Sequence, residues 1–410
     1  MYRLSTHIFF ALFLLSITLI GTHAKSYAQS APTDQLSSIH GMLLNPKPDA
    51  SSPADLLIAT KYGLLKANPN GMAVLMPEPK AGVVSLVAHP GDPQKIFASG
   101  YGVEGKIFAV MMSSNGGDRW KHISDGTTAQ AFHAMDISLS NPETIYGANK
   151  ELHVSQDGGL SWNTVGKLPG ELIDFAVSPK DSNTVYAATK EGLFISHDGG
   201  SNWKQDDQIH GPTTLIHAAP KGQLFTFIYG VGFLTKSTTA MAWESLSDGF
   251  ADRYLRHLVI DPNKPERLYA TADTGAILIS SDGGRSWSSF EGSQTASPAN
   301  IAKGKQVFEE ICAACHGEKG IGEAPGDPSA KDEHGFKAPA LNDDAHAWHH
   351  SDQNLKQTIQ KGSSRNERMV AYKDILPGED ISNVIAYIKS LWNIRSLACQ
   401  GARHMSCMGG

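Results

Sequence analysis

Cysteine is scarce in this 410-residue chain, and all four residues (Cys312, Cys315, Cys399, Cys407) fall in its last quarter. The first three quarters therefore fold without a disulfide, and the cysteines need a local explanation. Charge is also sparse: only 19% of residues are charged, the formal net charge is -6, and no basic block or arginine stripe occurs. That excludes the electrostatic footprint of a nucleic-acid binder. Long apolar runs are missing too. The longest, Ile8 to Gly21, is 14 residues, short of the roughly 20 that a membrane helix needs. What is abundant is turn formers, with 40 Gly and 21 Pro. Together with a length beyond what one core usually supports, they point to more than one domain and a turn-rich, β-dominated first part.

The short apolar run follows Met1-Tyr2-Arg3 and precedes small and polar residues, the layout of a secretory signal peptide over residues 1–28. The expected cleavage follows Ala28, with Ala24 as the alternative. A periplasmic or otherwise exported protein follows, touching a membrane only if this segment is retained as an anchor.

Self-comparison exposes a repeat over residues 35–292. Ser-x-Asp-Gly-Gly-x-x-Trp occurs at Ser155–Trp162, Ser196–Trp203 and Ser280–Trp287, with Asn115 replacing Asp in Ser113–Trp120 and a decayed copy ending at Trp243. These tryptophans are 42, 41, 40 and 44 residues apart. A proline closing a short apolar strand recurs at Pro46, Pro90, Pro142, Pro179, Pro220 and Pro262, which counts six units. Within one unit, 172–177, 184–189 and 192–196 read as strands and a fourth could start at Trp203. Four short strands per unit of about 40 residues is the signature of a propeller blade, so six four-stranded blades are expected. The box resembles the Asp-box (BNR) repeat of secreted bacterial propellers, which implies a box on the turn between the third and fourth strands of each blade. Some members of that class are glycoside hydrolases. Asp174 and Glu244 are isolated acids that could serve such chemistry, although single carboxylates are usually solvated surface.

Residues 293–300 read as a linker. Beyond them Ile301, Gly304, Val307, Phe308 and Ile311 fall on one helical face leading into Cys312-Ala313-Ala314-Cys315-His316. Cys-x-x-Cys-His is the attachment signature of c-type haem: two thiols add to the vinyl groups and the imidazole binds iron. A zinc site or a redox dithiol are the alternatives. Over residues 301–393 the landmarks resemble class I cytochromes c, including Gly317–Gly322 after the motif, Ala338-Pro339-Ala340-Leu341-Asn342, and a last helix from Pro377 to Trp392. The resemblance implies a small all-α domain with one covalent haem c, Cys312 and Cys315 as its thioether anchors, and His316 and Met369 as axial ligands. Val370 stands where the family has proline. His334, His346, His349 and His350 are rivals for the sixth position. It also implies that Gly304 and Phe308 meet Tyr387 where the terminal helices cross.

The tail, 394–410, gathers Cys399, His404, Met405, Cys407 and Met408. Such soft ligands suit copper(I); a Cys399–Cys407 disulfide is the competing expectation. The functional expectation is one-electron transfer between the haem and a redox partner protein or small donor or acceptor, with the propeller docking a partner or binding a substrate. A haem-linked or hydrolase-like enzyme and a copper-handling protein are the alternatives.

Overall fold

The computed structural model describes residues 30–33, 36, 38–45, 55–68, 71–102, 107–124, 131–290, 298–345 and 347–408. The signal-peptide segment, Pro46, His346 and most of the expected linker lie outside them.

Six antiparallel sheets follow one another along the chain. The fourth holds Leu172–Val177, Val185–Thr189, Gly192–Ser196 and Lys204–His210 in sequence order, each within a residue of the expected bounds. The first strand of each sheet lies beside the first strands of its neighbours, and Gly41–Asn45 meets Leu255–Asp261 to close the ring. The result is a six-bladed β-propeller. The first blade gains a fifth, outer strand, Ser30–Pro32, paired with Met72–Leu75. Among the described residues no strand is shared between the first and last blades, and side chains join them: Ile39, Met42 and Ile58 pack with Val259, Tyr269 and Phe290.

The Asp boxes explain themselves at atomic level. In the third blade Ser155 Oγ donates to Asp157 Oδ1 (2.8 Å) and accepts from the Gly159 amide (2.8 Å). Asp157 also accepts from the Ser161 amide at 2.9 Å. Gly158 and Gly159 hold φ of 70° and 90°, a region open chiefly to glycine. Trp162 then folds back, its Nε1 donating to the Gly159 carbonyl at 3.0 Å and its ring lying 4.6 Å from Phe132. Asn115 fills the same role in the variant box, where its Oδ1 accepts from the Arg119 amide, because the turn needs an acceptor and not a charge.

Ser155 is fully buried, so Ser155→Ala leaves the Gly159 amide without an acceptor and is expected to destabilise the propeller by about 2 kcal/mol. The urea midpoint of tryptophan fluorescence reads this directly, and an unshifted midpoint would make the box dispensable. The Ser161 hydroxyl, followed by the Ser161 amide and Ser155, holds the Asp157 carboxyl at about 2, below its ordinary 3.8. Its contribution is complete above pH 4 and is lost as pH falls through 2.

Behind the propeller come helices α1 (Pro298–Val307), α2 (Ala313–His316), α3 (Asp352–Lys361), α4 (Gly378–Ser390), α5 (Ile394–Ala398) and α6 (His404–Cys407). Two features depart from a simple all-α expectation. Phe308–Cys312 forms a π-helical turn between α1 and α2, a device that concentrates at functional sites. A short hairpin, Lys331–Asp332 with Gly335–Phe336, follows the motif. Pro377 caps α4 from outside rather than occupying its first turn.

The tail is a clamp between the two parts. Thr274 Oγ1 donates to the Ala398 carbonyl at 2.6 Å. Arg403 Nη2 donates to the carbonyls of Thr33, Leu36 and Gly275 at 2.7, 3.3 and 3.2 Å. Arg395 reaches Asp252 at 2.8 Å and the Cys407 carbonyl at 2.9 Å. Beneath these bonds one apolar cluster runs from Phe250 and Trp287 of the propeller into Phe308, Trp392 and Leu397.

Candidate haem site

Helix α2 presents the motif. Cys312 and Cys315 are free, half-buried thiols, and burial, aided by Cys315, pushes the Cys312 thiol up to about 11. His316 closes the helix because Gly317, at φ 72°, turns the chain away. The imidazole is fixed by its Nδ1, 2.8 Å from the Pro339 carbonyl. A carbonyl can only accept, so Nδ1 carries the proton and Nε2 is left as the basic nitrogen. Burial lowers the His316 pKa, which keeps the ring neutral as a metal ligand must be.

Two loops interlock around this turn. The Gly322 amide donates to the His316 carbonyl at 2.7 Å, and the Leu341 amide to the Gly320 carbonyl at 2.6 Å. A methyl group on Gly322 would stand 2.5 Å from the Ala340 nitrogen. The third loop bears Met369, which is half-buried. Its amide donates to the Asn366 carbonyl at 3.1 Å and its carbonyl accepts from Ser363 at 2.9 Å. Any side chain at Gly362 would crowd that carbonyl, at 2.5 Å from a Cβ. Arg368 then ties the Met369 loop to the motif side: it grips Glu323 at 2.8 and 2.7 Å and Asp332 at 2.7 Å. That guanidinium holds the Glu323 carboxyl at about 2. Tyr372 packs in one cluster with Ile311, beside the cysteine turn. Two thiols, a neutral imidazole with a free nitrogen, and a thioether on a pinned loop form a donor set that fits haem c.

The Arg368–Glu323–Asp332 clamp escaped sequence reading, because no local pattern links residues 45 and 36 positions apart. Of the rival histidines, His346 lies outside the described residues, and the rings of His334 and His349 make contacts elsewhere. His334 Nδ1 lies 2.7 Å from Glu367 on the surface. His349 stacks on His404 at 4.6 Å and meets Trp348 edge-on, and the His350 carbonyl accepts from Gln400.

In the tail, Cys399 and Cys407 form a disulfide with S–S 2.08 Å. Of the two expectations for the tail this is the disulfide, which leaves neither sulfur a thiolate for copper(I). Met405 and Met408 are 70% and 62% exposed, and His404 Nδ1 is turned to the Gly401 carbonyl at 2.7 Å. Among the described residues no group of three or more His, Cys, Asp or Glu side chains could hold a metal ion. Asp174 spans two blades, accepting from the Phe175 amide (2.9 Å) and the Ile216 amide (2.9 Å). Asp136 does the same toward Val177 at 2.7 Å. Burial pushes both carboxyls up to about 7. Glu244 is exposed on an outer strand.

The family described as "Cytochrome c" matches residues 301–392. Over 98 residues the chain is 40% identical to the cbb3-type cytochrome c oxidase subunit FixP of Bradyrhizobium diazoefficiens, covering 22% of this chain and 30% of that protein. Over 201 residues it is 25% identical to a xyloglucanase of Hypocrea jecorina, covering 45% of this chain and 23% of the relative. The chain thus spans less than a third of these relatives. Among solved structures it is similar to the GH74 xyloglucanase of Xanthomonas campestris, with TM-score 0.44 and 13% identity over 64% of this chain and 46% of that one. It is also similar to YCF48 bound to D1 peptide, with TM-score 0.36 and 16% identity over 52% and 81%. Residues 301–392 are a cytochrome c domain, a haem c electron-transfer module joined to a six-bladed β-propeller.

Proposed function

We propose that the protein is an exported one-electron carrier in which Cys312 and Cys315 anchor haem c, His316 and Met369 fill its two axial positions, and the propeller docks a redox partner or binds a substrate. The observation that carries this reading is the His316 ring, locked through Nδ1 to Pro339 at 2.8 Å on the same turn as two free thiols. Haem c, when bound, supplies a one-electron Fe(III)/Fe(II) couple. The chain's own groups do the rest. Pro339 fixes the tautomer that leaves Nε2 basic, and the Arg368 clamp holds the Met369 loop against the motif side. With His316 and Met369 both holding it, a bound haem would offer a substrate no free ligand position, which would favour transfer over haem catalysis. Export agrees with the leader-like start and with a disulfide in the tail. Among the described residues no helix is long and apolar enough to cross a membrane.

The test is covalent attachment. The full chain, expressed in a host with periplasmic haem-attachment machinery, is expected to keep haem through a denaturing gel and acid–acetone extraction. Cys312→Ala with Cys315→Ala is expected to release it entirely. Haem that is extractable from the unaltered protein, or absent from it, would sink this reading.

A further inference from the structure

The propeller opens at one end into a cavity of about 1320 Å³ lined by the entrances of inner strands, by the turn between the second and third strands of the first blade, and by the end of the second strand of the second blade. Its lining gathers Lys61, Lys80, Arg256, His40, His133 and His257, and no carboxylate is among its described residues. A protein of net charge -6 has thus placed six basic side chains around one hollow. The groups sense one another. The His40 ring is depressed by its burial and by Arg256, His133 and Lys61, and His257 is pushed to about 3 by burial and Arg256.

Three of the other propeller arginines are committed. Arg253 pairs with Asp252 and Asp273, Arg267 with Asp261, and Arg285 with a backbone carbonyl of its own Asp box. Arg256 is exposed, and among the described residues it has no carboxylate within ion-pair distance. The buried acid that Arg256 influences, Asp174, is already occupied by two backbone amides. Unpaired cations facing one another are unfavourable unless something negative joins them.

The rim supplies a second kind of surface. Tyr62 and Tyr101 are 77% and 39% exposed at the cavity, beside Pro79 and Ile173. Lys61 Nζ lies 4.9 Å from the Tyr62 ring centroid. Exposed aromatic faces next to cations suit a planar body bearing a negative group. The volume exceeds the roughly 300–1,000 Å³ of common small-ligand pockets, so a bare inorganic ion would leave most of it unfilled.

We propose that this cavity binds a small organic anion, a carboxylate or phosphate ester with a planar apolar body, its charge held by Arg256, Lys61 and Lys80 and its body against Tyr62 and Tyr101. This deepens the substrate-binding part of the function proposed above, and it can be tested apart from the haem.

Calorimetric titration of the full haem-loaded chain with phthalate and with phenyl phosphate tests it, with benzamide as the neutral control. Saturable binding of at least one anion is expected, weakening as salt is added, and the tighter of the two identifies the headgroup. Arg256→Gln is expected to weaken it about tenfold, which corresponds to 1.4 kcal/mol, and the triple variant with Lys61→Gln and Lys80→Gln to abolish it. Arg256 is exposed, so the fold is expected to survive its replacement, and an unchanged urea midpoint of tryptophan fluorescence verifies this. Absence of saturable binding by both anions, benzamide binding as tightly as phthalate, or an affinity unchanged in Arg256→Gln overturns the assignment. Loss of the haem spectrum in the unaltered protein would instead count against the electron-transfer reading, leaving the anion result to stand alone.

Discussion

Met369→Ala is expected to convert the reduced haem from a six-coordinate, low-spin centre to one with an open or water-filled position, and to lower its reduction potential by about 0.2 V. That is a fraction of the roughly 0.8 V range that axial ligands command. The direction follows from ligand softness: a thioether favours Fe(II), and removing it favours Fe(III). Met369→His supplies the informative contrast, because imidazole restores six-coordination while leaving the potential low. The loop itself should survive either change. Its backbone bonds to Asn366 and Ser363, and the Arg368 grip on Glu323 and Asp332, do not involve the Met369 side chain. Optical spectra and redox titration of the three proteins decide the matter. Unchanged spin state and potential in Met369→Ala would remove Met369 from the iron.

The second large effect is at Gly304→Val. Helices α1 and α4 cross so closely there that a Cβ on Gly304 would overlap the carbonyl of Asn383. Phe308 and Tyr387 sit next to the crossing with ring centroids 5.2 Å apart, and Phe308 and Val384 are almost completely buried. Overlap with backbone cannot be relieved by rotating a side chain. The helices must separate, and the expected loss is about 3 kcal/mol or more, at the upper end of overpacking effects. Thermal melting followed at the haem absorbance measures it. Gly166→Ala is the control: a Cβ there meets nothing within 4 Å, and its melting should stay near that of the unaltered protein. If Gly304→Val melts like Gly166→Ala, the crossing is looser than described.

Much of this was legible beforehand, for identifiable reasons. The Asp box signals its own turn because Ser155, Asp157, Gly159 and Trp162 interact within eight residues, and the recurring strand-closing prolines supply the sixth unit that the boxes miss, so the blade count and the strands of the fourth blade could be read locally. The Gly304–Tyr387 crossing and the haem-binding pentapeptide were legible through resemblance, since their spacing is shared with other cytochromes. What escaped notice depends on distant partners or small backbone irregularities. The π turn at Phe308–Cys312 keeps the apolar spacing of an ordinary helix. Ser30–Pro32 joins the first blade through backbone pairing, which leaves no side-chain pattern. Asp174 reads as an isolated acid, yet it bridges adjacent blades through an amide 42 residues away, and Asp136 does the same across 41. The tail read as a set of metal ligands or a disulfide, and its role in fastening two domains depends on carbonyls of Thr33 and Gly275, more than a hundred residues away.

The tail clamp also imposes a sorting problem on maturation. Under the proposed function, two sulfurs in the last hundred residues of the chain must stay reduced until they add to porphyrin vinyl groups, while two others are oxidised to each other. Four cysteines allow three pairings, and in two of them each haem-anchoring thiol is lost to a tail cysteine. Cys399 and Cys407 are 0% and 4% exposed once the tail is seated on the sixth blade, whereas Cys312 and Cys315 remain half-exposed on their own turn. Seating the tail on the sixth blade therefore shields the disulfide pair from thiol exchange and leaves Cys312 and Cys315 as the reachable sulfurs.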